Sequence, residues 1–319
     1  MDDITLSRPT LDSAVRVIPL SDGRIQIRTA TDRVSIGRQA SLALAMLNLC
    51  DGTRSEEEIT RTLEAQGHSP DHARALLRAL AARHMLTDDD APASCDLILD
   101  DARQIARQAL GHKWRSPTLE TMRDVYVIGV GHLAAAVRAE LTHLSLYAGE
   151  DCEPLMPGPP LIVACSDYEH VDSFRDTNAR AIQERSPVLF ACVSDPFVRI
   201  GPYVVPHETA CYECYYHRLR ANLQFRDEFD GWVAHNAALE TCGADSRAHI
   251  HARLAATLVA GQVINFLYGI THHCLLDSVV ELHPLTLEMT VSRVLRLPRC
   301  EACGCGESSH PARAVRDWV

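Results

Sequence analysis

Lysine is almost missing from this chain of 319 residues. Of its 31 basic residues only Lys113 is a lysine, and the rest are arginines. Positive charge as a whole is also short. The 42 acidic residues leave a formal net charge of −11, which excludes the basic stripe of a general nucleic-acid binder. No stretch reaches the roughly 20 apolar residues of a membrane span, so no membrane partner is expected. The start, Met1-Asp2-Asp3, is acidic and carries no apolar run, so no secretory signal is read there. No low-complexity tract or internal repeat is visible. These absences place the chain in a reducing cytoplasmic compartment, where its twelve cysteines are expected to serve metal rather than disulfides. The 46% hydrophobic content supports real cores, and the length suits two or three domains.

Four cysteines are the most informative residues present. Cys211-Tyr212-Glu213-Cys214 and Cys300-Glu301-Ala302-Cys303 each leave a gap of two residues, which lets both thiolates reach one ion. Four sulfurs in a closed tetrahedron are the preferred structural zinc site. The pairs stand 85 residues apart, so zinc there would tie the end of the chain to its middle. Cys305 is an alternative fourth ligand to Cys303. A redox dithiol is the lesser reading, because neither pair is expected to open a helix after a strand. The bland alternative is four unrelated buried thiols. The sixteen histidines, His272-His273 included, show no metal spacing.

The first 90 residues read as three strands and then three helices. Ala14–Leu20 and Arg24–Arg28 alternate around a turn at Ser21-Asp22-Gly23, and Arg33–Ile36 is a short third strand. Gln39–Cys50 carries a helical apolar stripe. Ser55 and Glu58 form a capping box for a second helix, which Gly67 ends, and Ser69-Pro70 opens a third. This is a winged-helix-like module. Asp88-Asp89-Asp90-Ala91-Pro92 marks its end, and residues 91–122 read as a linker with one helix near 100–110.

Residues 123–319 read as a Rossmann-like α/β domain. Asp124–Ile128 is a short strand, Gly129-Val130-Gly131-His132-Leu133-Ala134 a glycine turn, and His132–His143 a helix. Strand, glycine turn and helix in that order is the setting in which such a motif has meaning. Leu161–Ala164 and Val188–Cys192 are further strands flanking a helix over 173–184. A long apolar helix spans His249–Gly269, and two antiparallel strands follow near 276–282 and 287–297.

Gly129, Gly131, Asp167, the run Gly201-Pro202 to Cys214, and Cys300-x-x-Cys303 together resemble the ThiF-like, ubiquitin-activating-enzyme-like fold over about residues 120–305. Arg218-x-x-x-Asn222 and Leu297-Pro298-x-Cys300 narrow the resemblance to the ThiF-like partner proteins of azole-forming cyclodehydratases, which help make microcins and thiopeptides. The first 90 residues resemble the PqqD-like element of such proteins. That resemblance implies binding of a precursor's leader peptide, added as an edge strand and lying against the third helix. The candidate peptide residues are Val34, Ser35 and Ile36 on the edge, and Arg74, Leu77 and Arg78 on the helix. For each helix residue the alternative is a core leucine or a solvated arginine. The resemblance further implies a separate YcaO-type cyclodehydratase as partner and leaves a homodimer open.

Active relatives in that fold hold ATP with the glycine loop, an acid after the second strand, basic residues on the phosphates, and an aspartate that Asp167 matches. Here only 16 residues separate His143 from Pro160, and the usual Arg, Asn and Lys of that insert have no counterpart. Lys113 precedes the loop, and His132 puts bulk where phosphate would lie. Gly129, Gly131 and Asp167 are therefore read as a degenerate nucleotide site, with ATP not expected and zinc the only cofactor. Cys242, with Arg247 and His249 nearby in sequence, is a weak candidate nucleophile, so no catalytic residue is assigned. Three functions remain: a leader-peptide-binding partner that is not catalytic alone, a ThiF-like adenylyltransferase acting on a peptide, and a winged-helix regulator with a Rossmann-like sensor. Residues 1–90 hold 11 Arg against 14 Asp and Glu, a balance that disfavours phosphate binding by the regulator.

Overall fold

The computed structural model of the chain describes residues 6–29, 32–88, 97–110, 124–146, 159–194, 197–237 and 248–304. It divides into two compact units, Met1–Ser116 and Pro117–Val319.

In the first unit, β1 (Thr10–Leu11) precedes the sheet strands β2 (Arg16–Pro19), β3 (Ile25–Arg28) and β4 (Arg33–Ile36). These three pair antiparallel in the order β2-β3-β4. Gly23, at φ 82°, makes the β2–β3 turn, a left-handed conformation that costs glycine nothing. The helices are α1 (Ala40–Leu49), α2 (Glu56–Ala65) and α3 (Pro70–Ala81). The expected capping box is present: Ser55 Oγ accepts from the Glu58 N–H, and Glu58 accepts from the Ser55 N–H. Pro70 sits in the first turn of α3, where its missing N–H is not needed. Ile25, Ile27, Met46, Ile59, Leu63 and Leu80 fill the core between sheet and helices.

One pairing in this unit lies outside the sequence reading. β5 (Leu86–Thr87) returns to pair with β1, Thr10 facing Thr87. The helix expected near 100–110 is α4 (Leu97–Leu110), and it groups with the first unit. Its Arg107 makes a buried ion pair with Asp12. Of the boundary read at residues 88–92, Asp88 is described and 89–92 lie outside the described residues.

The second unit holds one six-stranded mixed sheet. In chain order it comprises β6 (Val125–Ile128), α5 (His132–His143), β7 (Leu161–Ser166), α6 (Val171–Glu184), β8 (Val188–Ser194) and β9 (Phe197–Val204). Then follow α7 (Tyr212–Asn222), α8 (Arg226–Ala237), α9 (Ala248–Leu267), β10 (Ser278–His283) and β11 (Glu288–Arg293). The strand order is β11-β10-β9-β8-β7-β6. β6, β7 and β8 run parallel, and the other pairs are antiparallel. Every residue of β7 is buried, as expected of a strand covered on both faces. Ile162, Ala164, Val188, Phe190 and Cys192 pack with Phe174 of α6 and Tyr212 of α7 on one face.

β9 is the strand that pattern reading passed over. It contains Gly201-Pro202, joined by a cis peptide bond, and proline in a strand interior argues against a strand. Gly201 has φ 101°, and a Cβ there would lie 2.6 Å from the Ser278 carbonyl oxygen of β10. The residue is glycine because the neighbouring strand leaves no room. Helix α9 also needs a correction to the sequence reading. Its segment Ile250–Leu267 is long and apolar enough to cross a membrane, with mean hydropathy 1.3. Here it packs against α5, β8 and β9, with Ala252, Ala255, Val259, Val263 and Ile264 buried.

Candidate metal centre and the glycine turn

Cys211 is the residue before α7, and Cys214 lies in its first turn. The approach to that helix is tightly held. Ala210 N–H donates to Asp277 at 2.6 Å, and Tyr212 N–H donates to Asn178 at 3.0 Å. The second pair follows β11. Arg218 of α7 donates to the Leu295 carbonyl at 2.5 Å and to that of Arg296 at 3.2 Å. Arg296 in turn donates to the carbonyls of His207 and Cys303, each at 2.8 Å. These arginines join the two cysteine segments through backbone carbonyls, a role that needs the fork of donors a lysine lacks.

The result is a buried cluster of four sulfurs, all within 4.8 Å of one another. Cys211 and Cys214 are separated by 3.7 Å, Cys211 and Cys300 by 3.6 Å, and Cys214 and Cys303 by 3.5 Å. Four zinc–sulfur bonds of about 2.3 Å in a tetrahedron put the sulfurs about 3.8 Å apart, so the residues present fit that ion. A disulfide at about 2.05 Å is not what this geometry prepares. The Leu297 N–H points at Cys214 Sγ, 3.3 Å away. Hydrogen bonds from Cys211 and Cys303 favour the thiolate of Cys214 and hold it low, while Cys211, which supplies a proton to that network, is pushed up.

One sequence argument fails here. The first pair does open a helix after a strand, so that test does not dismiss a dithiol; the convergence of all four sulfurs does. Cys305 lies outside the described residues, and Cys303 completes the set.

The glycine turn is closed on itself. Asp167, just past β7, accepts from the N–H groups of His132 and Leu133, both at 2.7 Å. Those are the first-turn donors of α5, the groups with which a helix N-terminus binds an anion. The glycines follow from the same packing. A Cβ at Gly129 (φ 128°) would lie 2.0 Å from the Cys165 carbonyl oxygen, and one at Gly131 (φ 100°) 2.3 Å from Asp167 Oδ2. Arg138 donates to the carbonyls of Val127 and Gly129 at 3.1 and 2.9 Å, fixing the strand side of the turn. Gly129, Gly131 and Asp167 are thus brought together, and they satisfy one another. Lys113, the short insert at 147–158, and Cys242 lie outside the described residues.

In the first unit, Val34, Ser35 and Ile36 occupy the edge strand β4. Val34 and Ile36 lean on the core, and Ser35 is exposed. Leu77 is buried, with 4% of its surface exposed. Arg74 and Arg78 are exposed and line a cleft of about 670 Å³ with Ser7, Glu56, Arg61 and Glu64. They face α2 and the segment before β1. The arginine that reaches the β3–β4 turn is Arg83, which pairs with Asp32 at 2.7 Å. Leu76 leans half-buried on the core with Val34 and Ile36. Arg83 follows the last turn of α3, and no periodicity marked it.

No family model matches this chain, and no curated protein matches it. Solved structures do. A heterocyclase in complex with substrate and cofactor is similar with a TM-score of 0.63 and 18% identity, over 93% of this chain and 39% of that one. The heterocyclase TruD gives 0.64 and 18%, over 93% and 43%. MccB of E. coli gives 0.57 and 14%, over 95% and 98%. The chain therefore has the fold of MccB along nearly all of that protein, and spans about two fifths of the heterocyclases.

Proposed function

We propose that this chain is a leader-peptide-binding partner protein. It captures a ribosomally made precursor peptide and presents it to a separate YcaO-type, ATP-dependent cyclodehydratase that forms thiazoline or oxazoline rings. The observation that carries this reading is the fold shared with the heterocyclases over 93% of this chain. ATP use falls to the partner because the insert between α5 and β7, only 16 residues from His143 to Pro160, holds no Arg, Asn or Lys for phosphates. The glycine turn, with Asp167 on the first-turn N–H groups of α5, then serves packing. The first unit then acts as a winged-helix, PqqD-like recognition element. The β4 edge, which among the described residues pairs only with β3, offers backbone donors and acceptors to an incoming strand. Arg83 reaches the β3–β4 turn through Asp32, while Arg74 and Arg78 border the cleft against α2. Zinc at Cys211, Cys214, Cys300 and Cys303 would hold the second unit's C-terminal segment to α7.

The nearly full-length likeness to MccB, solved also with ATP, favours one second reading, an ATP-dependent adenylyltransferase acting on a peptide. Two titrations of the full chain separate them. Calorimetry with MgATP should show no binding. Fluorescence polarisation with a labelled leader, taken from a precursor gene beside this one, should show binding that Ser35→Pro weakens about tenfold by removing one edge donor. Micromolar ATP affinity would promote the adenylating reading. Leader affinity that ignores Ser35→Pro would remove the β4 edge from the site.

A further inference from the structure

The open face of the first unit's sheet carries a row of like charge. Val17 of β2, Ile25 and Ile27 of β3, and Val34 and Ile36 of β4 pack into the core with the helices, so the residues between them face the other way. In the strand register Arg16 stands opposite Arg28, and Arg28 opposite Arg33. All three are exposed. Residues directly opposite have Cβ atoms about 4.5–5.5 Å apart, and like charges there destabilise a sheet. The nearby carboxylates are engaged elsewhere. Asp22 pairs with Arg24 at 2.7 Å, and Asp32 with Arg83 at 2.7 Å. The Arg16 guanidinium donates to the carbonyls of Ser13 and Val15, which carry no full charge. Among the described residues none of the three arginines makes an ion pair. A chain of net charge −11 therefore sets unneutralised positive charge in one row across a sheet.

We infer that this row selects an acidic peptide strand, one whose residue opposite Arg33 is Asp or Glu. The inference rests on the reading that a peptide adds to the β4 edge, and it names that peptide's chemistry. A strand paired with β4 becomes the fourth of the sheet. Its residue facing Arg33 continues the line through Arg16 and Arg28 on the open face, because directly opposite residues point to the same side. A carboxylate there makes an opposite-charge pair with Arg33 and lies two strand spacings of about 4.8 Å from Arg28, so it offsets the repulsion along the row. A second acid two residues on stands beside Ser35, on the diagonal from Arg33 and about 7–8 Å away. The residue between the two acids turns to the inner side, toward Val34, where the sheet meets the core, and is apolar. Nucleic-acid phosphates are the competing anion. Residues 1–90 hold 11 Arg against 14 Asp and Glu, a balance that repels a long polyanion, whereas a row ending at an unpaired edge matches one added strand.

Random short peptides displayed and selected on the full chain at low salt should return sequences in which Asp or Glu alternates with apolar residues. Selection on the chain carrying Arg28→Gln and Arg33→Gln should lose that acidic preference. In fluorescence polarisation, a selected peptide should bind the double variant about tenfold more weakly than wild type, and its affinity for wild type should fall as salt rises. Both arginines are exposed and repel each other, so the double variant should melt no lower than wild type at low salt. A lower melting point would show that the row serves the fold, and overturns the proposal. Selected peptides without acidic preference, weakened by Ser35→Pro, keep the β4 edge as the site and overturn the acidic selection alone. Peptides indifferent to Ser35→Pro and to the arginine pair, or no selected peptides at all, overturn both readings. Duplex DNA that binds more tightly than the selected peptides in the same buffer assigns the row to phosphates and overturns the proposal.

Discussion

The closed glycine turn yields a sharp energetic test. Asp167→Ala removes both acceptors from the first turn of α5, where each bond is charge-assisted and 2.7 Å long. The site is partly buried, so water replaces part of the loss, and a cost of about 2–3 kcal/mol is expected. Gly131→Ala is costly for two reasons. Its φ of 100° strains any residue with a Cβ by about 1–3 kcal/mol. Its Cβ would also lie 2.3 Å from Asp167 Oδ2, which displaces the carboxylate and forfeits the same two bonds. In the Asp167→Ala background that second loss has already occurred. The double variant should therefore be more stable than the sum of the singles implies, by about 2 kcal/mol. Urea unfolding of the full chain and its three variants, followed by far-ultraviolet circular dichroism, measures the coupling. Additivity to within about 0.5 kcal/mol would refute the claim that the glycine serves the aspartate. The same experiment tests nucleotide. A ligand at 100 times its Kd raises stability by about 2.7 kcal/mol, and MgATP is expected to shift the wild-type transition by nothing measurable.

Two further outcomes follow from the geometry. Metal analysis of purified protein should return about one zinc per chain, and Cys300→Ser should lose the metal and with it much of the second unit's stability; metal-free protein of unchanged stability would remove the site. In the first unit, Asp51 accepts from the Thr53 backbone N–H and hydroxyl, which hold its carboxyl down at about 2 against an ordinary 3.8. A depressed carboxylate contributes stability that is present above the ordinary value and is lost as pH falls toward 2. Asp51→Asn should accordingly be less stable than wild type at pH 6, with the gap closing between about pH 4 and pH 2; a gap that persists at pH 2 in thermal melts would show that the charge is not its cause.

What could be read from sequence in this protein was whatever is decided within one turn or one strand. The Ser55–Glu58 box, Ser69-Pro70 and the Val125–His143 strand, turn and helix all depend on neighbours a few residues away, and each stands where spacing put it. The cysteine pairs were legible for the same reason, because two residues between thiolates is a local constraint of coordination geometry. Tertiary structure alone decided the rest. Asp167 closes the turn from 35 residues beyond His132, a pairing that no periodicity records. Pro202 concealed β9, whose place between β8 and β10 is set by backbone pairing and by a glycine with no room for a side chain. Helical periodicity marked α3 as amphipathic, but which arginine looks toward β4 depended on how α2 and α3 pack, and Arg83 lay outside the pattern. The apolar residues of β11 alternate just as a half-buried strand's would. Only the sheet order, which leaves them at the edge, accounts for their exposure.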